Sequence, residues 1–389
     1  MNIRLNDNFA RIKPSYLFSD VAKRVRAYAE AHPEKKILRL GIGDVTLPLT
    51  ATVIRAMHQA TDEMADAATF RGYAPEYGYD FLREAVARHY ASFGVNVAPD
   101  DVFISDGAKS DLGNFVDLFA DVPVLVPDPV YPVYVDSNLM AGREIEYIEG
   151  NEGNGFLPTP AGLSDVPRLI YVCSPNNPTG AVYSAAGLAA WVEFALRTGS
   201  LILFDSAYEA FISDGSPRSI YAIKGAEKCA VEFCSLSKTA GFTGTRCGWT
   251  VVPAALGALK PMWERRQATK FNGVPYVVQR AAEAALSPEG MAECMANIAY
   301  YKENAALIAD LLKKKGIPFT GGLSSPYLWL RCPGGVGSWE FFDKLLCEAQ
   351  VVGTPGAGFG RAGEGYFRLT AFGSRENTRE AVQRLDELL

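Results

Sequence analysis

Near the start of the chain, apolar positions at Val21, Val25, Tyr28 and Ala29 recur at helical spacing. Ile37 to Leu40 then reads as a short strand running into the glycine turn Gly41-Ile42-Gly43-Asp44. The N-terminal region is thus an arm plus a turn. From Leu49 onward, helical patterns over 51–66, 79–93, 108–119 and 184–197 alternate with short β-branched runs at 102–105, 122–126, 168–173, 200–205, 230–235 and 248–252. That alternation predicts an α/β fold with a mainly parallel sheet flanked by helices. Beyond Pro275 the pattern changes to helices over 276–287 and 289–315, strands over 326–331 and 365–372, and a closing helix over 375–388, which describes a smaller α+β domain. The expected division is an arm with part of the small domain over 1–48, a large domain over 49–285 and the rest of the small domain over 286–389. No internal repeat or low-complexity segment interrupts this order.

Composition narrows the class. At 389 residues, with 48% hydrophobic and 21% charged side chains, the chain has ordinary globular composition and enough apolar material for a sizeable core. A net charge of -6 leaves no basic field for a phosphate backbone, so nucleic acid is not an expected partner. Asn2 to Lys13 is polar, without an apolar stretch of signal-peptide length, and no later run reaches the length of a membrane span. The expected setting is the cytoplasm, with no membrane partner. Seven cysteines without a CxxC pair read as reduced structural thiols. The three histidines, His32, His58 and His89, read as helix-surface residues, which leaves no metal cluster or Ser/His triad to expect.

Chemistry concentrates where the apolar run 230–235 enters Ser235-Leu236-Ser237-Lys238, with Arg246 downstream. Two hydroxyls and a planar guanidinium fork suit a phosphate dianion, and the lysine beside them can condense with a carbonyl held by that anchor. Alone, such a lysine is usually a surface residue. Two further strand ends change the weighing: Ser174-Pro175-Asn176-Asn177-Pro178-Thr179-Gly180, and Asp205-Ser206-Ala207-Tyr208. A carboxylate at Asp205 would be costly to bury, but a protonated pyridine nitrogen supplies its partner. Asn177 and Tyr208 could each donate to a phenolic oxygen, although turn-forming or packing is the plainer reading of either alone. In Ser105-Asp106-Gly107-Ala108-Lys109-Ser110 a strand ends and a helix begins, so backbone N–H groups there can face a phosphate.

These segments, in this order, resemble the fold-type I class I/II aminotransferases. The resemblance implies pyridoxal 5′-phosphate (PLP) as cofactor, a Schiff base on Lys238, Asp205 at the ring nitrogen, Asn177 and Tyr208 at the phenolic oxygen, and Tyr131 stacked on the ring. It places Arg246 at the phosphate, with Ser235, Ser237, Ala108 and Lys109 lining the same cofactor site. Lys13-Pro14-Ser15-Tyr16-Leu17-Phe18, Gly72-Tyr73-Ala74-Pro75-Glu76, Lys270-Phe271-Asn272-Gly273 and Phe367-Arg368-Leu369-Thr370 resemble the LL-diaminopimelate aminotransferase branch, over essentially the whole chain. Ser110 and Cys247 depart from that branch's pattern, at positions without essential chemistry.

That likeness implies amino transfer between glutamate and tetrahydrodipicolinate, giving LL-2,6-diaminopimelate, a precursor of lysine and peptidoglycan. Arg368 then suits the α-carboxylate and Glu76 the distal ammonium. Gly43, Lys109, Tyr131 and Asn177 complete the substrate contacts. Tyr16, Tyr73, Glu76 and Asn272 would act in the partner subunit's site, which implies a homodimer with shared active sites. Alternatives on the same fold are another aminotransferase, such as one for aspartate or aromatic substrates, or a PLP lyase; a PLP-sensing regulator would need a DNA-binding segment. Gly356, Gly358 and Gly360 superficially match a dinucleotide loop but read better as a loop bordering the substrate site.

Overall fold

The computed structural model describes residues 3–12, 17–41 and 43–389. Helix α1 (Leu17–Ala31) and the short strand β1 (Leu38–Arg39) come first, followed by α2 (Ala51–Ala65) and α3 (Asp80–Ala91). Strands and helices then alternate: β2 (Val102–Ser105), α4 (Ala108–Phe115), β3 (Val124–Asp128), α5 (Val133–Met140), β4 (Ile145–Glu149), β5 (Leu169–Cys173), α6 (Ala185–Thr198), β6 (Leu201–Asp205), β7 (Ala230–Ser235), α7 (Leu236–Thr239) and β8 (Gly248–Val251). The remainder comprises α8 (Leu259–Lys270), α9 (Tyr276–Ala285), α10 (Pro288–Lys314), β9 (Phe319–Gly321), β10 (Tyr327–Arg331), α11 (Ser338–Lys344), β11 (Val351–Val352), β12 (Thr354–Pro355), β13 (Tyr366–Thr370) and α12 (Arg375–Leu388).

Seven strands form one sheet in the order β2-β8-β7-β6-β5-β3-β4. Neighbours from β7 through β4 run parallel, whereas β8 is antiparallel to both β7 and β2. Five of the seven are buried at every position and β6 at all but its first, because helices cover both faces, so their sequences are mostly continuous apolar runs rather than alternating ones. The register brings the carboxyl ends of β2, β5, β6 and β7 to one edge together with the amino end of the antiparallel β8: Cys173 lies opposite Asp205, Asp205 opposite Phe233, and Gly248 opposite both Ser235 and Ser105. In an open parallel sheet that edge is where backbone groups and loops are free to hold a ligand.

A second layer gathers around the four-stranded sheet β12-β13-β10-β9. Val21 and Val25 of α1 pack there with Ile308, Leu312, Leu328, Leu369 and Leu385, and β1 pairs with β11 in parallel, so the two ends of the chain share one core.

Several elements escape the pattern reading, and for three of them the reason is identifiable. Strand β4 lies at the sheet edge with Glu146, Tyr147 and Glu149 exposed, leaving no apolar run to detect. Helix α8 buries only Trp263 and Gln267, so it has no apolar stripe. Helix α5 begins on β-branched residues after Tyr131-Pro132. The expected helix over 108–119 narrows to a 3-10 turn at Val116–Leu118. The surface reading of His89 is corrected as well: it is buried, with Nε2 3.1 Å from Glu209 Oε1, because α3 packs this face inward beside Trp249. Among the described residues no helix is long and apolar enough to cross a membrane.

Candidate active site

The strand ends determine what lies beside what. Ser235 closes β7 and caps α7: its Oγ accepts from the N–H of Ser237 at 3.1 Å and donates to Ser237 Oγ at 2.9 Å. Arg246 Nη1 donates to Ser237 Oγ at 3.1 Å. Across β8, Gly248 leaves room for Gly107, whose Cα would stand 2.8 Å from any Cβ added there. Gly107 itself has φ +133°, and a Cβ on it would lie 2.7 Å from Arg246 Nη2. Bare backbone at the start of α4 therefore converges on the same guanidinium and hydroxyls. Arg246 holds φ 64°, a left-handed conformation that costs a non-glycine residue about 1–3 kcal/mol. The surrounding loop maintains it and aims the fork at the gap between α4 and α7.

Lys238 sits on the single turn of α7. Its Nζ donates to the carbonyl of Gly43 and stands 5.4 Å from the ring centroid of Phe372. Burial, helped by the positive charges of Arg368 and Arg246 and opposed by Asp44, brings the amine down to about 8. The amine can therefore exist neutral, and so nucleophilic, near neutral pH.

Asp205, at the end of β6, is buried; its Oδ2 accepts from Tyr134 Oη at 2.5 Å and its Oδ1 from the N–H of Ala207 at 3.0 Å. Burial raises its pKa, and both donors are neutral, so this carboxyl is suited to a cation arriving beside it. Arg368 on β13 is 1% exposed. It donates to Asn177 Oδ1 at 2.6 Å and to the carbonyl of Gly41 at 2.9 Å, with its guanidinium 4.4 Å from the ring centre of Tyr327 and 4.8 Å from that of Phe359. The glycine segment carrying Phe359 does border this arginine, as a 3-10 turn at Gly356–Phe359. Tyr208 Oη lies 2.6 Å from Tyr327 Oη.

The expected site residues fall into two groups. Lys238, Asp205, Asn177, Tyr208, Ser235, Ser237, Arg246, Arg368 and Gly43 belong to one connected cluster. Ala108 and Lys109 open α4, and Tyr131 meets Tyr134 edge-on at 5.9 Å. Tyr73, Glu76 and Asn272 lie apart from it. Tyr73 is 89% exposed, and Gly273 packs its backbone against Ala74 and Pro75, so these two segments form a surface of their own. Among the described residues, no hydrogen bond or ion pair joins Tyr73, Glu76 or Asn272 to the Lys238 cluster. Tyr16 lies outside the described residues.

Sequence reasoning missed Tyr134 and Tyr327. Tyr134 had a faint signal, since it follows Tyr131 by three residues in the turn that opens α5, where the two rings meet. Tyr327 had none, because only the pairing of β10 with β13 brings it under Arg368.

The family profile described as aminotransferase class I and II matches residues 35–385. The chain belongs to the class I and II aminotransferases. Within this family it is 51% identical to the LL-diaminopimelate aminotransferase of Agathobacter rectalis, over 99% of this chain and 100% of that protein. It is 50% identical to the enzyme of the same name from Bacteroides fragilis, over 99% of each. The solved structure of the L,L-diaminopimelate aminotransferase from Chlamydomonas reinhardtii superposes with a TM-score of 0.94 at 42% identity, covering 100% of this chain and 99% of that one. Aminotransferases of this family use PLP. The residues present fit that cofactor: an anion cradle that a Cβ at Gly107 would fill, a buried carboxyl with only neutral donors, and an amine of depressed pKa.

Proposed function

We propose that this aminotransferase interconverts LL-2,6-diaminopimelate plus 2-oxoglutarate with tetrahydrodipicolinate plus glutamate. The observation that carries the reading is the Lys238–Asp205–Arg246–Arg368 cluster, with Asp205 and Arg368 buried and Lys238 and Arg246 half-buried, in a chain half identical over its whole length to enzymes named for diaminopimelate. The seven cysteines are all free, which supports a reducing, cytoplasmic setting.

When bound, PLP supplies an electron sink for the pair left as the substrate's α C–H bond breaks. Arg246, Ser235, Ser237 and the N–H groups of Ala108 and Lys109 would hold the phosphate. Asp205, steadied by Tyr134, would pair with the ring nitrogen and keep it protonated. Asn177 and Tyr208 would donate to the phenolic oxygen, and Tyr131 would line the ring. Lys238 would hold the cofactor covalently, and its amine, when free, would carry the α-proton as acid and base. A pKa near 8 suits both roles.

Arg368 clamps the α-carboxylate bidentately, with Gly43 lining the same space. Glu76, together with Tyr16, Tyr73 and Asn272, reaches into the site of the other subunit of a homodimer and receives the distal ammonium there. The exposure of Tyr73, Phe70, Ile3 and Leu5 supports such an interface. A screen of amino donors against 2-oxoglutarate tests the reading: LL-diaminopimelate should outrun its meso isomer, lysine, aspartate and tyrosine. A preference for aspartate or tyrosine would refute it.

A further inference from the structure

Tyr208 is surrounded in a way that its proposed task does not explain. Its hydroxyl lies 2.6 Å from that of Tyr327, and the two rings meet at 5.1 Å and 71°. Tyr327 is 1% exposed, anchored at the start of β10 by its N–H on Ser325 Oγ, and overlaid by the Arg368 guanidinium at 4.4 Å. Gly43 leaves space for it, since a Cβ there would come 2.8 Å from Tyr327 Oη.

A phenol has one proton to give. If Tyr208 spends it on the cofactor's phenolic oxygen, the bond between the two tyrosines must run the other way, with Tyr327 as donor and Tyr208 as acceptor. Burial raises both hydroxyls and Arg368 acts to lower both. The guanidinium lies against the Tyr327 ring itself, at 4.4 Å, which favours Tyr327 as the donor of the pair, and a hydroxyl that accepts a hydrogen bond becomes a better donor itself.

We propose that Tyr327 is a positioning residue: its hydroxyl donates to Tyr208, turns the Tyr208 proton toward the cofactor's phenolic oxygen, and couples that contact to the arginine at the carboxylate position. The inference rests on the reading of Tyr208 above. Weakening the Tyr208 donor leaves more negative charge on the phenolic oxygen, so the chromophore retains its own proton to higher pH.

The test is a pH titration of visible absorbance in the cofactor-loaded enzyme without substrate, for wild type, Tyr208→Phe, Tyr327→Phe and the double variant. Tyr208→Phe should raise the midpoint by about one pH unit and Tyr327→Phe by about half a unit. The double variant should match Tyr208→Phe alone, because Tyr327 acts through Tyr208. A wild-type midpoint in Tyr327→Phe beside a shifted Tyr208→Phe would overturn this inference alone, as would fully additive shifts. An unmoved Tyr208→Phe would overturn the placement of Tyr208 and this inference with it. Should Tyr327→Phe fail to fold, Gly43→Ala displaces the same hydroxyl and should shift the midpoint in the same direction; no shift there would also overturn it.

Discussion

The Lys238 cluster and the Tyr73–Glu76 segment both border the central sheet, yet they are built differently. Lys238, Asp205, Asn177 and Arg246 converge from beside the ends of β7, β6, β5 and β8, Arg368 meets them from the middle of β13, and each is held by a hydrogen bond. The Tyr73–Glu76 segment is tied to the sheet just beyond its end, where the carbonyl of Tyr77 accepts from the N–H of Ile104, and it exposes Tyr73 while leaving Ala74, Pro75 and Glu76 half-buried. One region is a connected set of side chains within a single chain; the other is a surface set apart from it. On the proposed function, the fold pre-organises the residues that would meet the cofactor, while discrimination between the two amino donors falls to Glu76 on that surface.

The contrast breaks most sharply at the lysine. Lys238→Ala should lower kcat/KM for transamination by about a thousandfold or more, whichever amino donor is used. Steady-state kinetics with glutamate and with diaminopimelate should show equal losses. In the cofactor-free protein, the wild-type amine should react with an aldehyde with a pH midpoint near 8 rather than the ordinary 10.5. Because the folded value lies below the unfolded one, the unfolded chain binds the extra proton between these values. The stability of the cofactor-free protein should therefore rise with pH across that window, and the cost of burying this amine should be largest below it. A midpoint close to 10.5 would mean that the pocket is wetter than its burial implies.

Next in size is Arg368→Lys. A compact ammonium keeps the charge but loses the fork that reaches Asn177 and the Gly41 carbonyl together, so kcat/KM should fall about a hundredfold for both donors. Gly107→Ala should weaken PLP binding about tenfold, since its φ of +133° and the nearby Arg246 Nη2 leave no room for a methyl group. Equilibrium titration of the cofactor-free protein measures this, and unchanged affinity would remove the anion cradle from the account. The smallest effect sharpens the other side of the comparison. Glu76→Ala should cost about tenfold with diaminopimelate and little with glutamate. Equal losses with both would place Glu76 in general architecture rather than in recognition.

The legibility of these regions in the sequence follows the same line. Strands β2, β5, β6, β7 and β8 were readable because burial on both faces writes a continuous apolar run. The residues ending them were readable as candidates because polar side chains at such ends have few structural reasons to be there. Edge strand β4 and helix α8 were not readable, since an element with one wet face and few buried positions leaves no periodic trace. His89 was misread for the converse reason: a polar residue on a helix looks superficial until its partner is known, and Glu209 lies 120 positions away in the chain.

Local order along the chain determined the alternation of elements, the lysine beside its serines, and the glycine at the start of α4, because each depends on a few consecutive residues. Tertiary structure alone decided that Tyr134 meets Asp205, that Tyr327 meets Tyr208, and that Arg368 spans Asn177 and Gly41. These pairs depend on strand register and on the packing of the two cores against each other, and burial is what turns a distant polar residue into an obligatory partner.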